Sequence, residues 1–159
     1  MSENKKEFTR HIIATVAYRG GKAIRNAPDT FGDFKAGDST KTPVQILAHI
    51  GDLYDWALSQ AKGAETWNNS TPLSWDDEVE RFFDALTALD KFLSSGEEIH
   101  ISLERLFQGA LADSLTHIGQ IAMLRRLADS PIKGENYSRA KIEKGSVGAN
   151  QPEPANEFD

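Results

Sequence analysis

The sequence contains no cysteine, which excludes disulfide frameworks, thiolate metal sites and cysteine nucleophiles. Any thiol chemistry would therefore need a thiol from outside the protein. The chain also has no apolar run near the roughly 20 residues that a membrane-spanning helix requires. Its first residues lack the apolar segment of a secretory signal, so we expect a cytoplasmic protein that does not engage a membrane.

Positive charge is in short supply. The 159 residues include 18 lysines and arginines against 24 acidic residues, a formal net charge of −6. This balance argues against a nucleic-acid groove and against binding to an anionic membrane surface. With 39% hydrophobic and 26% charged residues, the composition is typical of one globular domain with a single core.

Convincing strand patterns and internal repeats are also absent, whereas hydrophobic residues recur at helical spacing in four segments. The pattern predicts helices over Glu7–Arg25, from Pro43 to about Gly63, from Trp75 to about Ser94, and from Ser102 or Leu103 to Ala128. Phe8 and Phe107 fall on the predicted inward faces. Gly119, inside the last helix, is interpreted as a point of close helix approach.

Local signals mark where two of these helices begin. Thr42 and Gln45 have capping-box spacing around Pro43, and Ser74 precedes three acidic residues that favour a helix start. The link over 26–41 is loop-like, with Phe31 and Phe34 as expected anchors to the core. We predict an all-α four-helix bundle over residues 1–132. Residues 133–159 are predicted to form an irregular extension, packing on the bundle or trailing from it, with one helical turn near 136–143.

The strongest chemical signal lies in the last predicted helix, where His117 sits in an apolar stripe and Asp113 precedes it by four residues, about one turn. His49 has a comparable inward position on the second helix. A buried imidazole needs hydrogen-bond or metal partners for its ring nitrogens. Two imidazoles and one carboxylate that met between helices could hold one divalent ion, such as zinc, nickel or ferrous iron, with positions left for water.

Each of these residues also has an ordinary structural interpretation. A histidine on an apolar face is commonly bonded to a neighbouring hydroxyl or carbonyl group, and Asp113 could be a surface charge or the partner of an arginine in a salt bridge. Asp52, three residues after His49, is a candidate hydrogen-bond acceptor that orients the imidazole. The remaining histidines, His11 and His100, are weaker candidates.

Two further features favour simple interpretations. Arg125 and Arg126 are expected to make local salt bridges at a helix C-terminus, where cations are stabilised. A di-iron carboxylate site is poorly supported, because glutamate does not stand three residues before either inward histidine; Ile46 and Ser114 occupy those positions.

Several segments resemble the DinB-like superfamily of four-helix-bundle proteins. The run from Leu111 to Ala128, with Thr-His-Ile-Gly-Gln-Ile-Ala-Met-Leu-Arg-Arg at its centre, is similar to that family's last-helix signature. The segment from Ala48 to Leu53, with Trp56, resembles its second-helix histidine segment. Residues 75–82 and the start of the tail at Glu135-Asn136-Tyr137 are similar to further parts of the family.

The resemblance implies a four-helix bundle that binds one divalent metal through a second-helix histidine and a pair spaced four apart on the last helix. His49 and His117 match the first and last of these ligands, and Asp113 stands where many members carry a histidine. It also implies a homodimer, and an activity such as thiol-dependent transfer with a low-molecular-weight thiol, or hydrolysis.

Two functional hypotheses follow. The first is a metal-dependent transferase or hydrolase that acts on a small molecule and holds its ion with His49, Asp113 and His117. The alternative is a non-catalytic dimeric bundle, or a protein that binds a small ligand, in which the two histidines form a structural polar pair.

Overall fold

A computed structural model describes residues 3–159, and these residues are mostly helical. The long helices are α1 (Glu3–Ile24), α2 (Pro43–Ala61) and α3 (Trp75–Ser94). The last helical segment has three parts: α4 (Leu103–Leu106), a π-helical turn (Phe107–Leu111) and α5 (Ala112–Leu127). Within the described part of the chain, no helix combines the length and apolar character that crossing a bilayer requires.

Both predicted helix starts are confirmed. The Thr42 hydroxyl accepts a hydrogen bond from the Gln45 backbone N–H, and the Gln45 side chain accepts one from the Thr42 backbone N–H. Ser74 likewise accepts from the backbone N–H of Asp77 at the start of α3. These bonds satisfy N–H groups that have no partner inside the helix.

The helices pack so that α1 lies against α3 and α5, and α2 also lies against α3 and α5. The predicted anchor Phe31 is buried in a short 3₁₀ turn of the link between α1 and α2. Side chains from all four helical segments and from the link between α1 and α2 fill the interior, the largest fully buried ones being Tyr54, Phe31, Phe82, Ile13, Leu47, Ile50, Leu86, Leu89, Leu93, Leu106, Leu111 and Ile121.

The π-helical turn explains one wrong prediction about the core. Gly109 in this turn has φ −90° and ψ −109°, outside helical values, so the helical phase before the turn differs from that of a continuous helix. Leu106 is therefore the buried residue and Phe107 is 46% exposed. A strict count of 100° per residue cannot anticipate such a turn.

Two other inward assignments were wrong. Phe8 is 66% exposed, because Thr9 and Ile13 occupy the inward positions of α1. Gly119 is exposed, and a Cβ built on it would meet no atom within 4 Å. It therefore does not mark a close approach of two helices.

The C-terminal extension packs on α1. Residues Gly134–Glu135 (β1) pair antiparallel with Glu157–Phe158 (β2), two short strands that the sequence pattern did not predict. Tyr137–Arg139 form a 3₁₀ turn inside the region expected to hold one. The buried Glu135 carboxylate accepts hydrogen bonds from Tyr18 at 2.6 Å and from Lys22 at 2.9 Å, which ties β1 to α1.

Arg125 does not make the expected salt bridge. Its buried guanidinium donates to the backbone oxygens of Ala23, Arg25 and Asn26 at the end of α1, and to both oxygens of Ser130. Burial lowers the pKa of Arg125. The residue joins the C-terminus of α1 to the end of α5, a long-range role that a local charge rule does not reveal.

Candidate metal centre

Helices α2 and α5 bring His49, Asp113 and His117 together. One donor atom from each side chain lies within 4.8 Å of the others. The two imidazole rings are perpendicular, with centroids 4.8 Å apart. The Oδ2 atom of Asp113 lies 3.5 Å from Nε2 of His117, across one turn of α5. The three residues singled out from the sequence are therefore neighbours in the fold.

The spacing of these donor atoms can be compared with that around a metal ion. Bonds of about 2.0–2.2 Å to a tetrahedral zinc ion place neighbouring donors roughly 3.3–3.6 Å apart. The Asp113–His117 separation of 3.5 Å already falls in that range. The other donor pairs of the group lie no more than 4.8 Å apart, so a shift of about 1 Å in the position of a side-chain donor atom would bring them to this spacing. Two nitrogens and one carboxylate oxygen are a donor set that suits a divalent ion such as zinc.

The electrostatics of the cluster favour a neutral imidazole at His49. This ring is half-buried, and burial lowers its pKa, with a further lowering from the nearby His117. The Asp113 carboxylate acts in the opposite direction but is the weaker influence. A lower pKa keeps a lone pair available for a cation over a wider pH range.

A hydrogen bond orients the imidazole ring of His117. Its Nδ1 lies 2.8 Å from the amide oxygen of Gln120, one turn later on α5. Because this oxygen can only accept, Nδ1 is the donor in this contact, and Nε2 is the ring nitrogen that faces Asp113. A hydrogen bond of this kind commonly orients metal-binding histidines.

A tryptophan that the sequence pattern did not single out lies beside the cluster. Trp67, in the link between α2 and α3, packs edge-on against His49 with ring centroids 5.8 Å apart. It makes a similar contact with Trp56 at 5.9 Å. The link has no hydrophobic periodicity from which the position of a side chain could be predicted. The one sequence feature that could have indicated Trp67 is a large aromatic residue within a polar stretch.

Three other candidates lie outside the cluster. Asp52 accepts hydrogen bonds from Ser70 and Arg81 rather than from His49. Burial raises the pKa of Asp52, but these bonds outweigh that effect and hold its pKa below the usual value. His11 on α1 and His100 before α4 are both exposed, and neither contributes a donor atom to the group.

The donor set opens towards solvent on the Asp113 side. The side chain of Asp113 is 47% exposed and that of His117 is 20% exposed. Asp113 also lines a cavity of about 330 Å³ between α2 and the π-helical turn. Its other lining residues are Leu53, Trp56, Gln108, Gly109, Ala112 and Thr116. A small molecule in this cavity would lie beside the carboxylate.

Comparisons with protein-family models, with curated proteins and with solved structures found no match to this chain. The interpretation of the site therefore rests on its geometry and on the chemistry of its residues.

Proposed function

We propose that this protein binds one divalent metal ion through His49, Asp113 and His117 and uses it to act on a small molecule. The observation that carries the proposal is the approach of three donor atoms from two helices to within 4.8 Å of one another. A half-buried histidine with a lowered pKa and a second histidine whose ring is held by a hydrogen bond between Nδ1 and Gln120 both support it.

We also propose that the chain is a DinB-like four-helix bundle. In support of this, α1 and α2 each pack against both α3 and α5, so that every helix has two neighbours, as in a bundle of four. The histidine on α2 and the pair spaced four residues apart on α5 follow the order that the family resemblance implies. A homodimer in the cytoplasm belongs to the same proposal.

The residues define what this site could do. Two imidazoles and one carboxylate leave a bound ion one net positive charge and positions for water or substrate. When bound, the ion would lower the pKa of a water or thiol and so supply a nucleophile near neutral pH. Asp113 is the one ionisable residue that lines the adjacent cavity. We therefore propose a hydrolase or a transferase that uses an external thiol, with zinc, nickel or ferrous iron as the ion.

Metal analysis of untagged protein tests the proposal directly. Metal-free protein is equilibrated with zinc or nickel, and bound metal is measured after gel filtration, alongside His49→Ala and His117→Ala. We expect one ion per chain in the parent and a large loss in both variants. His11→Ala removes an exposed histidine of α1 and should bind like the parent. Metal below stoichiometry that neither site substitution changes would refute the proposal.

A non-catalytic homodimer is the second candidate, favoured by exposed apolar side chains on one helix. Met123 and Leu127, one turn apart on α5, are each more than half exposed.

A non-catalytic dimer without a metal site predicts that zinc leaves the thermal midpoint of unfolding unchanged. A native-state metal site instead stabilises by about 2.7 kcal/mol at 100 times the dissociation constant, a midpoint increase of roughly 5–11 °C. Thermal melts with and without zinc separate the two candidates.

A further inference from the structure

One cavity of the fold adjoins the candidate metal centre. Asp113 lines it, and the further lining residues Leu53 and Ala112 place it between α2 and the start of α5. Its volume of about 330 Å³ lies at the small end of the roughly 300–1,000 Å³ that is typical of small-molecule sites. A ligand bound at the ion would therefore find room here for one compact group. We call this space the Trp56 cavity, because the indole of Trp56 also lines it.

The indole of Trp56 is a fixed wall of this cavity. Its Nε1 donates a hydrogen bond to Oε1 of Glu65 at 3.0 Å, and its ring packs edge-on against Trp67 with centroids 5.9 Å apart. A Cβ built on Gly109 would lie 3.7 Å from Cζ3 of the same ring, so the π-helical turn approaches the six-membered part of the indole. Because these contacts set the plane of the ring, the wall is preorganised and loses little side-chain freedom when a ligand binds.

The Trp56 cavity has little charge of its own. Among residues 3–159, Asp113 is the one ionisable residue that lines it, and the proposed ion takes that carboxylate as a ligand. The other polar side chains of the lining, Gln108 and Thr116, are neutral. A charged substituent placed here, away from the ion, would lose water without gaining a side chain of opposite charge, which costs free energy. The part of a ligand that extends into the cavity is therefore expected to be uncharged.

We propose that the Trp56 cavity holds an uncharged, flat apolar group of the substrate, a single aromatic ring, while the reacting group of the substrate binds the ion. Aromatic rings and indoles attract each other in stacked and edge-to-face arrangements. This assignment rests on the proposed metal function and names the substrate class of that site: small aryl compounds without a charged group on the ring. It gives Trp56 the role of a specificity-determining residue.

A series of hydroxamates tests the assignment, because the hydroxamate group binds zinc and different substituents can be attached to it. Zinc-loaded protein is titrated by calorimetry with acetohydroxamate, benzohydroxamate, 4-methylbenzohydroxamate and 4-carboxybenzohydroxamate. We expect benzohydroxamate and its 4-methyl derivative to bind at least about tenfold more tightly than acetohydroxamate. The 4-carboxy derivative should lose most of this advantage, since the described part of the chain places no cationic side chain in the cavity lining.

Two variants locate the aromatic ring in the protein. Trp56→Leu keeps an apolar side chain but removes the flat surface, and Ala112→Leu fills part of the cavity from α5. Each should reduce the preference for benzohydroxamate over acetohydroxamate to less than about threefold. This ratio of affinities cancels any change in zinc binding that affects both compounds. Trp75→Leu is the matched control, because Trp75 packs on Phe31 and does not line the cavity; it should retain the preference.

The outcomes distinguish failure of the aryl assignment from failure of the metal site. If zinc binds at one ion per chain but benzohydroxamate has no advantage, or keeps it in either cavity variant, the aryl assignment is wrong while the metal function stands. Equal affinity for the 4-methyl and 4-carboxy compounds overturns the requirement for an uncharged ring. If zinc does not bind, the metal function fails and the aryl assignment fails with it.

Discussion

Replacing Arg125 should strongly destabilise the protein, although the residue has no acidic partner. Its five N–H donors are all used: Nη1 bonds Ala23 O and Arg25 O at 3.0 Å each, and Nη2 bonds Asn26 O at 3.3 Å. Nε and Nη2 also bond the two oxygens of Ser130 at 2.8 Å and 3.0 Å. Ala23 lies in the last turn of α1, where the helix dipole places partial negative charge on the carbonyl oxygens.

The expected magnitude follows from the acceptors left behind in Arg125→Met. An unpaired buried acceptor costs about 1–3 kcal/mol, and water can rehydrate some of the five. We therefore expect a loss of about 3 kcal/mol in the free energy of unfolding, a large part of the roughly 5–15 kcal/mol typical of a domain. The thermal midpoint should fall by about 6–12 °C. Arg125→Lys keeps the charge but offers fewer donors without the planar fork, so its loss should be intermediate.

Urea unfolding followed by circular dichroism measures these differences, and an unchanged slope would confirm that the unfolded states are comparable. Arg126→Met is the matched control, because its side chain is exposed on the same turn of α5. It should change stability by no more than about 0.5 kcal/mol. A loss below about 1 kcal/mol in Arg125→Met would refute the reasoning that this residue holds the end of α1 to the end of α5.

Three further predictions concern other side chains. Gln120→Leu removes the acceptor for Nδ1 of His117 and should weaken zinc affinity about tenfold, whereas Gln120→Glu should restore or exceed it; chelator competition measures both. Asp52, whose pKa is lowered in the fold, contributes stability that is complete above about pH 4 and is lost as the pH falls through its lowered pKa. In Asp52→Asn, urea midpoints at pH 7 should be lower and should decline less on acidification. Glu135→Gln weakens the buried contact with Lys22, which should cost about 1–3 kcal/mol and speed tryptic cleavage at Lys133; unchanged cleavage would show that β1 is held by other contacts.

Helix boundaries were the most predictable part of this fold. The starts of α2 and α3 depend on bonds between residues three apart, as at Thr42 and Gln45, and such bonds can be inferred from the local order of residues. The inward faces were less predictable. Phe107 was misplaced because the π-helical turn changes the helical phase, and Phe8 because Thr9 takes the inward position on α1.

The strands and the buried charges were missed for a different reason. Lys22 and Glu135 are 113 residues apart in the chain and pair in the interior, and strands β1 and β2 contain two residues each. Neither an isolated lysine nor a dipeptide has a periodic signal. Their partners are defined only when distant segments pack together.

The candidate metal centre was likewise predictable from the sequence only in part. Sequence alone determined that Asp113 and His117 share a face of one helix, since residues four apart in an α-helix are neighbours. The order of residues also indicated that His49 is an inward residue of another helix. Tertiary packing decided that α2 brings His49 to within 4.8 Å of that pair, that Trp67 packs against it, and that Asp52 turns to Arg81 instead. Distances between helices depend on how each one is rotated and translated against its neighbours, and local spacing contains no record of that rotation.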